Sequence, residues 1–446
     1  MQRANIFIVE DNRSLKELAD NCSRLYNELN YERRQSYIHC KRFEWYPKHL
    51  YKKYASMIGS ATAQQIIKKN NEAWRSFLAL KRLEREGKLP KHISRISMPR
   101  YWKLKGRREL RVIVRNDCYR IDDDEEYIYL PKGLKLKYKG KLRYKGNQGR
   151  LEILYDTIDK VWRGFMSVKV EKHLLRGGSN SNDNNNNNDK PLYIDLGVVN
   201  LATVWFNGLR QPIAYSGRAI LADWWYLSNR IAREQSRVAK VNNKAKTSRS
   251  ISRLYRIRQR RFRHSINAMV KKIVEDAYML GISRIVIGDI KGIRSNHTSN
   301  NSKANSMINN FWSFNYILRR FKDKAEEYGI KVEEVSEYNT SSICPFCKSN
   351  GIRKHRGLFY CPTCNKAMNA DVVGVLNIAN RDNNSKDGSK TNQIHIIPSS
   401  WRSSRSRDNR LVAQPLLLRW DGMKWDTKRY MNNRLMNTLE ARISRL

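Results

Sequence analysis

An α+β protein built of several domains follows from three features of the chain. Its opening part repeats apolar residues at helical spacing. The stretch after Pro90 alternates apolar and charged residues as strands do, and beyond an asparagine-rich break apolar strands end on aspartate between long basic helices. With 446 residues, 40% of them apolar, the chain has material for two or three domains.

Residues 1–105 read as mainly helical, the first few being candidates for a strand of the sheet that follows. Ile66, Ile67, Trp74, Phe77 and Leu78 recur at three-and-four spacing among polar residues, and 13–58 carries a Tyr-rich, less regular version of the pattern. Segments 109–114, 126–139 and 151–170 are rich in Val, Ile, Leu and Tyr and are punctuated by Gly133, Gly140, Gly146 and Gly149. Residues 106–176 therefore read as an antiparallel sheet or a small barrel. Residues 177–190, largely Gly, Ser and Asn, have almost nothing apolar to bury and mark the main boundary as a solvated linker.

Beyond the linker, 192–206 and 284–290 read as strands, with basic helices at 219–241 and 250–280 between them. Ile251, Leu254, Phe262, Ile266, Met269, Ile273 and Ala277 give the second helix one apolar face. The same helix carries Arg253, Arg256, Arg258, Arg260, Arg261 and Arg263, either a solvated outer face or a phosphate track. The overall charge favours the track, with Arg256, Arg260, Arg261 and Arg263 as the candidate nucleic-acid contacts. A polar loop at 295–306 precedes a helix whose stripe of Phe314, Ile317, Leu318, Phe321, Ala325 and Tyr328 is core, then a strand at 330–336. Residues 382–446 form a basic, partly flexible tail with isolated Trp401, Trp420 and Trp425.

The chain carries 87 Lys and Arg against 42 Asp and Glu, a formal charge of +45 that repels itself unless a polyanion neutralises it. Nucleic acid is the expected partner. No stretch is apolar enough to span a bilayer, and the start, MQRANIFIVEDN, has no signal-peptide core, so no membrane is expected. Seven cysteines, an odd number with four in C-x-x-C pairs, point to a reducing compartment and metal ligation. Cys22, Cys40 and Cys118 read as buried thiols. No Gly-rich phosphate loop is present.

Cys344 and Cys347 are separated from Cys361 and Cys364 by thirteen residues, which lets four thiolates surround one structural Zn²⁺. Asp195 closes the apolar run Leu192-Tyr193-Ile194, and Asp289 closes Ile285-Val286-Ile287-Gly288 in the same way. Asp371, seven residues after Cys364, opens a small-residue helix, where a lone acid serves as an N-cap. Singly these are a turn former, a strand end and a cap. Together, three separated aspartates are what two Mg²⁺ ions about 3.5 to 4 Å apart require of a phosphodiesterase.

Asp195 through Thr203, Gly288-Asp289-Ile290-Lys291-Gly292-Ile293, Thr340 through Cys347 and Asp371 through Ile378 together resemble the transposon-encoded TnpB family, relatives of the compact type V CRISPR nucleases. A weaker likeness covers 60–102, where Ala63-Gln64-Gln65, Trp74, Phe77 and Pro99-Arg100-Tyr101 resemble that family's recognition region. The resemblance implies an RNase H-like (RuvC) nuclease domain at 191–340, a zinc ribbon at 341–367 and a final RuvC helix at 368–381. These would be preceded by a helical recognition lobe and a wedge β-barrel. It further implies catalysis by Asp195, Asp289 and Asp371 on Mg²⁺, and a guide RNA derived from the element. The chain departs from the family in having Asp289 where Glu is common and Ala370 where Arg often precedes the third acid.

The expected activity is RNA-guided cleavage of double-stranded DNA beside a short flanking motif, in a prokaryotic cytoplasm at the nucleoid, by a monomer or a dimer. Three rivals make different demands. A guided regulator binds without cutting, a transposase also joins strands, and a zinc-ribbon scaffold binds nucleic acid without Mg²⁺ or a discrete guide.

Overall fold

The computed structural model describes residues 1–90, 93–104, 106–170, 190–206, 211–241, 247–289, 311, 313–337, 339–355, 357–386 and 411–427. The loop at 295–306, Trp401 and all of the 177–190 linker but its last residue lie outside them. The chain divides into two compact units, Met1–Glu171 and Lys172–Leu446. No helix among the described residues is long and apolar enough to cross a membrane.

In the first unit, strand β1 (Gln2–Val9) leads into helices α1 (Arg13–Cys40), α2 (Lys48–Ile58) and α3 (Ser60–Arg85). Asn12 caps α1, its side-chain oxygen accepting the Ser14 N–H at 2.8 Å, and Lys41 in the left-handed region ends it. Leu15, Ala19, Cys22, Leu25, Tyr26 and Leu29 form its buried stripe and meet Ile66 and Ile67 of α3 in one core. Arg33, almost fully buried, donates to Asn70 Oδ1 and to the carbonyls of Glu44 and Trp45, so its charge is enclosed by acceptors. Cys40 is exposed and Cys118 half-buried, unlike buried Cys22. Cys40 is the last residue of α1, where the chain leaves the packed face.

Besides a short hairpin of Lys103–Leu104 with Arg107–Arg108, the unit's other strands are β2 (Arg111–Val114), β3 (Arg120–Asp122), β4 (Tyr127–Leu130), β5 (Leu134–Lys139), β6 (Asn147–Asp156) and β7 (Val161–Lys169). They form an antiparallel sheet in the order β2-β6-β7-β1-β5-β4-β3. Among the described residues its edges, β2 and β3, do not pair, so backbone pairing leaves the sheet open where the sequence allowed a closed barrel. The first strand of the chain lies at its middle, Ile6 opposite Phe165 and Ile8 opposite Lys139.

The second unit is built on β8 (Pro191–Asp195), β9 (Asn200–Phe206), β10 (Ile213–Ser216), β11 (Arg284–Asp289) and β12 (Lys331–Ser336). Helices α4 (Arg218–Val241) and α5 (Arg249–Met279) fall between β10 and β11, and α6 (Phe314–Glu327) between β11 and β12. Next come a ribbon of β13 (Ile352–His355), β14 (Leu358–Cys361) and β15 (Lys366–Asn369), helix α7 (Ala370–Lys386), and β16 (Leu411–Ala413), β17 (Leu416–Trp420) and β18 (Trp425–Thr427). The large sheet runs β12-β11-β8-β9-β10-β17-β18, with β8, β9 and β10 antiparallel and β11 and β12 parallel to β8.

Alternation along β8 assigns its two faces. Leu192 and Ile194 join the core made with α5 and α6, whereas Tyr193 joins the one made with α7 and the ribbon. Part of the region read as a tail belongs to this architecture. Strand β17 pairs in parallel with β10, and Trp425 is buried against Tyr215, its indole N–H donating to the Ser265 carbonyl at 3.0 Å.

Candidate active site

Three parallel strands, β8, β11 and β12, run out at one edge of the large sheet, the kind of carboxyl edge at which open sheets bind ligands. Asp195 is the last residue of β8 and Asp289 the last of β11. Glu337 follows Ser336, which pairs with Asp289 at the end of β12. A fourth acid, Asp371, lies in the first turn of α7, which packs on the same sheet through Tyr193, Trp205 and Val286. The capping role read for Asp371 belongs to Asn369, whose side-chain oxygen accepts the Asp371 N–H at 2.9 Å. The Asp371 carboxylate instead accepts from Asn200 Nδ2 at 2.6 Å.

Burial, and then the nearby charges of Glu337 and Asp371, hold the Asp195 carboxyl well above the usual carboxylate range, with Arg353 of the ribbon partly opposing. Burial followed by the charge of Asp289 pushes Glu337 up to about 7. The Oε1 atom of Glu337 is buried and has no hydrogen-bond partner among the described residues.

Two glycines make room for these groups. A Cβ on Gly374 would lie 2.4 Å from Asp195 Oδ2, and one on Gly288 would lie 1.9 Å from Glu337 Oε1. Glu337 therefore fills the space that a side chain at position 288 would need. An unpartnered, buried carboxylate oxygen among like charges is satisfied by a cation, and oxygen donors of this kind suit Mg²⁺. The donor types present fit such an ion, while among the described residues only the four cysteines already converge as one ligand cluster.

Glu337 is the residue that sequence reasoning missed. The signal available was negative: Gly288, immediately before Asp289, removes a side chain from the strand end.

The four cysteines form the second centre. Their Sγ atoms all lie within 4.8 Å of one another, Cys344 to Cys364 at 3.6 Å and Cys347 to Cys361 at 3.4 Å. A tetrahedron of sulfurs with Zn–S bonds of about 2.3 Å has edges of about 3.8 Å, so the set fits one Zn²⁺. Each pair closes on a left-handed residue just after its second cysteine, Lys348 (φ 60°) and Asn365 (φ 50°). Burial opposes ionisation of Cys361, but hydrogen bonds from Ser349 and the backbone at Cys364 bring its thiol down to about 6. Strand β15 passes directly into α7, and Asn377 of α7 donates to the Thr340 and Ile343 carbonyls, both at 2.7 Å. The zinc ligands and Asp371 thus belong to one packed assembly.

The arginines of α5 divide between two sides. At 100° per residue Arg253, Arg256, Arg260 and Arg263 share one side, while Arg258 and Arg261 lie on the other. Arg261 pairs with Asp223 of α4 at 2.6 Å, Arg258 lies 4.8 Å over the Trp224 ring, and Arg263 lies 5.1 Å over Tyr316. Arg256 is half-buried, and Arg260, Arg261 and Arg263 are exposed.

Residues 165–294 match the family model described as "Probable transposase" (OrfB_IS605), and 314–378 match that of the Cas12f1-like TNB domain. The chain is 25% identical over 143 residues to a TnpB-like protein of Methanocaldococcus jannaschii, covering 31% of this chain and 50% of that one. Among solved structures it resembles the protein in a cryo-EM structure of a Cas12f1-sgRNA-target DNA complex, with a TM-score of 0.52, 16% identity and 82% of each chain covered. It is 33% identical over 387 residues, 82% of each chain, to TnpB-like protein ORF457 of Acidianus two-tailed virus. The chain belongs to the TnpB-like family.

Proposed function

We propose that the protein is an RNA-guided DNA endonuclease of the kind transposons encode, cutting with a divalent-metal centre on an RNase H-like (RuvC) sheet. The observation that carries this is the meeting of Asp195, Asp289, Glu337 and Asp371 at one sheet edge, with a buried carboxylate oxygen left unpartnered. The order of five strands, β10-β9-β8 antiparallel followed by parallel β11 and β12, supports the RNase H-like assignment.

In this reading Asp195, Asp371 and Glu337 hold two Mg²⁺ ions, and Asp289 completes the acidic wall beside Glu337. Bound there, the ions supply positive charge that favours hydroxide over water and stabilises the leaving 3′ oxygen. Asn200 orients Asp371, and Gly288 and Gly374 let Glu337 and Asp195 approach. Arg353 of the ribbon, close enough to Asp195 to favour its charged form, is in this reading the cation that would meet the scissile phosphate. Cys344, Cys347, Cys361 and Cys364 would hold a structural Zn²⁺ in the ribbon packed with α7.

The partners are a guide RNA and double-stranded DNA bearing a short motif next to the target. Guide pairing reads the sequence, and the +45 chain holds the strands through their backbones. The proposed setting is the prokaryotic cytoplasm. The test is to purify the protein after expression with its native flanking DNA and sequence the bound RNA. One discrete RNA ending in a variable segment is expected. Heterogeneous RNA, or none, would put the scaffold or transposase reading ahead.

A further inference from the structure

Helices α4 and α5 and the β17–β18 hairpin enclose an open cavity of about 380 Å³. Its floor is apolar and largely aromatic: Ile220, Trp224 and Phe262, all buried. Trp420 forms one wall, its ring edge-on to His264 at 5.3 Å and 83°. The exposed rim brings a cation and an anion together, Arg261 donating to Asp223 at 2.6 Å, while half-buried Arg258 donates to Ser228 at 2.8 Å. An aromatic floor under a few convergent polar groups is the usual anatomy of a small-ligand site, and this volume lies near the lower end of the about 300–1,000 Å³ such sites span. It has room for one nucleotide and not for an oligomer.

We propose that this cavity is a binding pocket for a single unstacked nucleotide of the nucleic acid the protein carries. The inference rests on the reading that the chain binds nucleic acid and adds a specific place where one base leaves the strand. Indole and imidazole faces accept any base by stacking. Asp223 offers an acceptor to an exocyclic amine. Arg258 and Arg261 each have more N–H groups than their observed bonds use, and these suit a phosphate. The pocket also gives Trp420 a role that its place in a polar tail did not suggest.

The test is photocrosslinking of the full-length protein to single-stranded 12-mers containing 5-iodouridine, as RNA or as DNA, followed by peptide mapping. Crosslinks at His264 or Trp420, competed by uridine monophosphate and reduced at least fivefold in His264→Ala and in Arg261→Gln, are expected. Far-UV circular dichroism checks that both variants fold. The backbone giving the higher yield identifies the strand concerned. Crosslinks confined to other peptides, or yields unchanged in both variants, would overturn the pocket and leave nucleic-acid binding standing. Absence of any crosslink, together with no co-purifying RNA, would overturn both.

Discussion

Arg284 and Asp382 form a buried, two-pronged ion pair that ties the start of β11 to the far end of α7. Tyr193 of β8 donates to the same carboxylate at 3.2 Å, and Glu333 of β12 also reaches Arg284. Asp289 and Asp371 sit at the opposite ends of β11 and α7. At strand and helix rises of about 3.3 and 1.5 Å per residue, each lies about 16 Å from the pair. The elements that carry the acids are therefore cross-tied at the end remote from them.

Asp382→Ala removes the two-pronged partner of the buried Arg284 guanidinium, leaving it Glu333, and should cost up to about 3–5 kcal/mol in urea unfolding. Replacing both, as Arg284→Met with Asp382→Leu, should recover most of that loss. A single variant as stable as the wild type would show that the pair contributes little.

Glu337→Gln should abolish cleavage while leaving RNA binding intact, and Asp289→Asn should reduce cleavage at least tenfold. Without metal, Glu337→Gln should raise the melting temperature more at pH 8 than at pH 5. Burial and the charge of Asp289 push Glu337 up to about 7 from the 4.5 of a free glutamate, so folding is penalised once the unfolded carboxyl ionises. The stabilisation should therefore grow from about pH 4.5 to about pH 7 and level off above that. An equal shift at both pH values would place Glu337 outside the acidic cluster.

Cys361→Ser should reduce bound zinc from one equivalent to well below one and expose the ribbon to proteolysis. Because β15 runs straight into α7, cleavage should fall with it. Full zinc content with normal cleavage would separate the ribbon from the active edge.

Arg353→Ala should lower the cleavage rate constant about tenfold with little change in DNA affinity, since one exposed side chain adds little to a chain of this charge. A loss confined to affinity would assign Arg353 to binding alone.

Asp195, Asp289 and the cysteines were legible because apolar runs stop on acids and the C-x-x-C pairs repeat at close spacing. Glu337 was not, because it follows Lys331-Val332-Glu333-Glu334-Val335-Ser336, where one more glutamate looks like another surface charge. Its place depends on a neighbouring strand lacking a side chain at Gly288, which periodicity along one segment does not reveal. The apolar faces of α5 and α6 could be read residue by residue, since helical packing is local. The central position of β1 and the addition of β17 to β10 rest on pairings across more than a hundred residues, and β10 and β17, with four and five residues, also carry too short a pattern to announce theirs.

The most direct test is cleavage of a plasmid matched to the co-purified RNA by the wild type and by Asp195→Ala, each with Mg²⁺ or EDTA. The proposed mechanism predicts cutting only by the wild type, only with Mg²⁺ and only at the matched site, with both proteins binding the target equally. Cutting by Asp195→Ala at the wild-type rate, or cutting that persists in EDTA, would contradict it.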